Sequence, residues 1–141
     1  SEMCIRDRNM LITLGTIVII MSLWGMTHGD EWAEIGWGEG NVLAHDEAYE
    51  EMWALHLMPL GVMAIITALI VTGKELAKIA MFAPIVLVNM LGGMLILTSD
   101  NGYGGTPTGI NAALAGLMML ATILTCASGF MHKGDTEESG D

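Results

Sequence analysis

The chain has 141 residues, is 52% hydrophobic with a mean hydropathy of +0.54, and carries a formal net charge of −11 from 5 basic and 16 acidic side chains. It is too apolar for an ordinary soluble domain and too short for two. The acidic balance argues against nucleic acid and against docking on anionic lipid headgroups.

Residues 1–9 form a polar N-terminal stretch. Ser1-Glu2-Met3-Cys4-Ile5-Arg6-Asp7-Arg8 resembles the translated adapter read-through at the start of some metagenome-derived genes; if it is one, Arg6 and Arg8 drop out of the topology argument, which then rests on Lys74, Lys78 and the acid-only first loop. Residues 10–26 are a first apolar span, near the short limit for crossing ~30 Å of hydrocarbon. A cleaved signal peptide is the rival reading, but bulky Trp24 and Met26 make a poor cleavage site.

The first connection holds half of the acids: Asp30, Glu31, Glu34, Glu39, Asp46, Glu47, Glu50 and Glu51. It is read as an acidic solvated surface, with cation collection as the alternative. Trp24, Trp32 and Trp37 suit a membrane interface. Residues 32–37 have the composition of a short interfacial helix weakened by glycine.

The second helix starts in water, with Asp46 or its predecessor as cap and Glu47, Glu50 and Glu51 in the first turns. Its span is 52–72, with Pro59 predicted to kink it. A short turn at Thr72-Gly73-Lys74-Glu75 makes an antiparallel hairpin to a third span at 79–98, which contains Pro84 and Gly92-Gly93. Residues 99–109 are rich in turn formers. The fourth span is 110–131, with Ala112, Ala113, Ala115 and Gly116 as a small-residue surface. Residues 132–141 are read as a disordered polar tail. Cys4 and Cys126 fall on the same, reducing side, which argues against a disulfide.

The fold class expected is all-α, a four-helix transmembrane bundle. Arg6 and Arg8 precede the first span, Lys74 and Lys78 lie between the second and third, and Lys133 follows the fourth. The other two connections have no Lys or Arg, so the positive-inside rule places both termini in the cytoplasm and the acidic loop outside.

On a helical wheel His45, Tyr49, Met52, His56, Met63 and Thr67 share one stripe of the second helix. A polar stripe in lipid is expected to face the bundle interior. The functional reading is an outward-opening polar cavity of His56, Tyr49, Thr67, Asn89 and Asp100, with Ser99, Thr108 and Asn111 at comparable depth. The alternative is structural: His56 bonded to a backbone carbonyl and Asn89 clamping two helices. His28, His45 and Glu50 are the weaker candidates for a metal site. His45 and His56 are about 16 Å apart along a continuous helix and cannot share an ion. A heme needs histidines at matching depth on two helices, which are lacking. The 13 Met residues fit core packing better than copper binding. No cofactor is implied.

The four spans, the long first outer loop, the tight Gly73-Lys74 hairpin and the glycine late in span three resemble the DoxX-like group of small prokaryotic membrane proteins, over residues 49–97. The resemblance implies an accessory subunit of the prokaryotic cell membrane and assigns no residue a role; the first helix departs from the group's Gly-rich pattern.

Three functions follow as expectations. The first is a non-enzymatic accessory or assembly subunit or homo-oligomer, whose partners are the lipid bilayer and another membrane protein or copy. The second is a small cation or solute transporter with a path past His56 and Asn89. The third is a metal- or redox-cofactor-binding subunit.

Overall fold

The computed structural model describes residues 2–134, the side chains of Met3 and Cys4 excepted. It contains α1 (Glu2–Thr27), α2 (Gly29–Trp37), α3 (Asp46–Ile70), α4 (Gly73–Met81), α5 (Ala83–Thr98) and α6 (Gly109–His132), and no strand among the described residues. Four stretches are long and apolar enough to cross a membrane: Ile5–Thr27, Asp46–Ile70, Gly73–Thr98 and Gly109–His132. At 1.5 Å per residue the shortest is about 34 Å long, against ~30 Å of hydrocarbon.

Local chemistry sets the helix ends. The Leu43 amide donates to Asp46 Oδ2 at 2.7 Å, fixing the chain where α3 begins. The α3–α4 turn needs only Val71 and Thr72, because Gly73 takes a φ of +64° that L side chains resist. Pro59 leaves α3 continuous. Pro84 does break the third span: it has no amide to give Ala80, so α4 stops at Met81 and α5 restarts with proline in its first turn. The interfacial helix is longer than expected, starting at Gly29. Of the expected polar tail, residues 135–141 lie outside the described residues.

The tightest packing is α1 against α3, and small residues permit it. Ala54, Gly61 and Ala68 recur every seven residues on α3 and are buried. On α1 the buried line is Leu11, Gly15, Ser22 and Gly25. A Cβ at Gly15 would stand 2.7 Å from the Gly61 carbonyl oxygen, and one at Gly61 would stand 2.7 Å from that of Gly15. Ser22 Oγ donates to the Ala54 carbonyl at 2.8 Å across the same contact. In lipid such close backbone approach supplies the van der Waals attraction that the hydrophobic effect cannot. Gly129 plays the same part where α6 crosses α4, against Ala77, Ala80 and Met81. Leu11, Ala68, Leu76 and Ala80 close the core at that end.

The third span behaves differently. No residue of α5 is buried; it packs chiefly on α6 and α4. Leu87, Met90, Leu91 and Met94 of α5 line an open space beside α3 instead of filling one.

Candidate functional site

Two cavities of about 210 and 420 Å³ lie end to end between α3, α5 and α6, with Leu57, Leu87, Met90 and Met118 in the walls of both. Together they make one slot. Its deep part is apolar apart from Thr67 and Thr122, lined also by Leu11, Leu60, Met63, Phe82 and Val86. Its other end meets a polar cap built by α2 and the loop before α6.

The cap follows from local sequence. Gly36 ends the buried face of α2, and its carbonyl accepts the Gly104 amide at 2.7 Å, docking the loop on the helix. Tyr103 lies edge-on to Trp37, with ring centroids 5.0 Å apart, and its hydroxyl donates to Glu50 Oε1 at 2.6 Å. Asn111, in the first turn of α6, is the second hub. Its Oδ1 accepts Trp24 Nε1 at 3.1 Å and Trp32 Nε1 at 3.0 Å, and its Nδ2 donates to Glu31 Oε2 at 3.1 Å. One amide side chain thus ties α1, α2 and α6. Glu50, Trp53, Trp32, Tyr103 and Asn111 all line this end of the slot.

Burial, the hydrogen bond to Glu50 and that residue's charge together push the Tyr103 phenol well above its ordinary value of 10.0. The native state therefore holds this proton more tightly than the unfolded chain does. The pair's contribution to stability is full below pH 10.0 and declines as pH rises through the higher folded value. An alkaline titration followed by phenolate absorbance is expected to show Tyr103 ionising late. Glu50→Gln removes the negative neighbour and should bring that ionisation down, though burial keeps it from returning fully. An unchanged titration in the variant would dismiss the pair.

At the other end of the bundle Asp7 is buried. Its Oδ1 accepts the Ser128 hydroxyl and faces His132 Nδ1 at 2.9 Å, tying the start of α1 to the end of α6. The N-terminal segment, expected to stand outside the fold, is thus used in the packing.

The expected inward polar stripe is corrected. His56 is exposed, with Nδ1 2.5 Å from the Met52 carbonyl of its own helix. Tyr49 and Met52 are exposed too. Asn89 is exposed and donates to the Ile85 carbonyl at 3.0 Å, so it clamps no second helix. Asp100 is exposed. Thr67 alone of the five cavity candidates lines the slot. The reason is that His56 and Asn89 each find a carbonyl one turn back, while the face that packs against α1 is chosen by side-chain size.

The metal candidates are likewise apart. His28 stacks on Trp24 with centroids 3.6 Å apart and lies 3.0 Å from the Trp24 carbonyl. His45 has Nε2 3.5 Å from Asp46 Oδ1 and its ring against Tyr49. Glu50 is taken up with Tyr103. No three His, Cys, Asp or Glu side chains group as a metal site among the described residues.

Asn111 was legible only as a polar residue near the right depth, and Ser22 and Tyr103 not at all as partners. The seven-residue repeat of Ala54, Gly61 and Ala68 was the one available signal for the packed face of α3. No family model, curated protein or solved structure matches the chain.

Proposed function

We propose that the chain is a small integral membrane protein without an enzymatic role, crossing the cell membrane four times with both termini cytoplasmic. It serves as an accessory or assembly subunit or forms a homo-oligomer. The observation that carries this reading is α5, part of a membrane-length stretch yet with no buried residue. Its outward face presents Ile85, Val88, Asn89 and Ile96, and a Cβ at Gly92 or Gly93 would meet nothing. An exposed amide beside two open glycines is a surface suited to close approach by another transmembrane helix. The DoxX-like resemblance agrees with an accessory role and adds no residue to it.

Sidedness is supported by how charge is sorted. Lys74 and Lys78 lie on α4, packed against the end of α6 that leads to Lys133, and the Asp7–His132 contact brings Arg6 and Arg8 to that same end. Asp30, Glu31, Glu34 and Glu39 gather at the opposite end, around α2. A polar conduit past His56 and Asn89 has less support, since both side chains bond to their own helices.

Cysteine at Val88 or Ile96 should cross-link in native membranes, to a second copy or to another protein. Gly92→Leu is expected to weaken that association, because a large side chain there keeps the backbones apart, leaving helix content unchanged. A protein that stays monomeric and yields no adduct from either position would sink the proposal.

A further inference from the structure

The slot is an open groove walled by α3, α5 and α6 and ends against one buried carboxylate, Glu50. We propose that it binds a lipophilic cation, with a compact ammonium head at Glu50 and an apolar tail lying along α5. This is independent of what covers the outer face of α5.

The charge of the head follows from the walls. Glu50 is 7% exposed, and no Lys, Arg or His among the described residues pairs with it or lines either cavity. A buried carboxylate is costly to keep without a counter-charge. Tyr103 uses Oε1, which leaves Oε2 for a donor or cation in the slot. Trp32, Trp53 and Tyr103 supply aromatic rings at the same end, and an ammonium is attracted to such faces. An anionic head would meet Glu50 with nothing to offset it. A neutral head would leave the carboxylate's charge uncompensated.

The tail follows from length and lining. From Ala83 to Met94 the α5 wall runs about 16 Å at 1.5 Å per residue. Below the cap it is built of Leu, Met, Val and Phe side chains. Flexible Met side chains on α3, α5 and α6 can adapt to tails of differing shape. The acids around α2 raise the local concentration of cations at the mouth.

The test uses three dodecyl probes brominated close to the head group, where a bound probe meets Trp32 and Trp53: a trimethylammonium, an alcohol and a carboxylate. Each is added to the full chain in zwitterionic nanodiscs, and tryptophan quenching is followed. The trimethylammonium should quench saturably, and the other two only to the level of partitioning into empty lipid. Glu50→Gln should weaken the cation by about tenfold or more, as expected on losing a charged partner. Met118→Phe combined with Leu87→Phe, which narrows the slot midway without adding an indole, should abolish saturable quenching while keeping Glu50, and it serves if Glu50→Gln does not fold. Equal saturable quenching by all three probes would show an unselective lipid groove and overturn the proposal. So would cation binding that survives the paired Met118→Phe and Leu87→Phe changes unaltered.

Discussion

Gly61→Leu is expected to be among the costliest single changes to the fold. The position faces the Gly15 carbonyl and the Ile19 chain of α1, and even a methyl group there would stand only 2.7 Å from the backbone oxygen. Backbone cannot rotate away as a side chain can, so α1 and α3 must separate. Overpacking a core costs about 1–3 kcal/mol where neighbours can adjust; here the Ser22–Ala54 hydrogen bond and the burial of Ala54, Leu57 and Ala68 go with it. We expect a loss at or above the upper end of that range, read as a collapse of the detergent melting transition. Gly92→Leu, on the open face of α5, should leave the same transition in place. Similar melting of the two variants would refute the small-residue account of the packing.

Asn111→Leu should also have a large effect. It removes the acceptor of two indole N–H groups and the donor to Glu31 in one step. An unpaired buried donor costs about 1–3 kcal/mol, and Trp24 and Trp32 each lose one partner. The cap should loosen while the lower bundle holds. Tryptophan emission is expected to shift to the red, and amide exchange to speed up in α2 and the loop before α6, with α4 unaffected. Asn111→Gln, which keeps both bonding capacities on a longer arm, should fall between. Uniform destabilisation of all helices would contradict a local hub.

The helix pattern was legible because its signals are one-dimensional. Length of apolar runs, proline, glycine and acids near helix starts fall close to the observed ends of α3 and α6 and the end of α1, whereas α1 starts at Glu2, eight residues before the expected Met10. Facing was not legible from polarity. His56 and Asn89 look like interior residues only if lipid is assumed unable to satisfy them, and a carbonyl four residues back does so within the helix. Size was the better guide, since Ala54, Gly61 and Ala68 mark the buried face of α3 without any polar side chain. The cap was hidden for a different reason. Glu50 and Tyr103 are 53 positions apart, and Trp24 and Asn111 are 87 apart, so no local pattern links them. The slot depends on a misfit between α3 and α5, which composition does not encode.

Crossing the membrane four times with the α2 cap outside is the claim on which the rest stands. It is tested by single cysteines at Gly38, Gly73 and Gly104, placed in intact cells on a background with Cys4 and Cys126 replaced by serine. Gly104 is exposed and Gly38 partly so at the capped end, and Gly73 opens the turn into α4 at the basic end. A membrane-impermeant maleimide should label Gly38→Cys and Gly104→Cys at once, and Gly73→Cys only after the cells are opened. Labelling of Gly73→Cys from outside, or none at Gly104→Cys, would contradict the account.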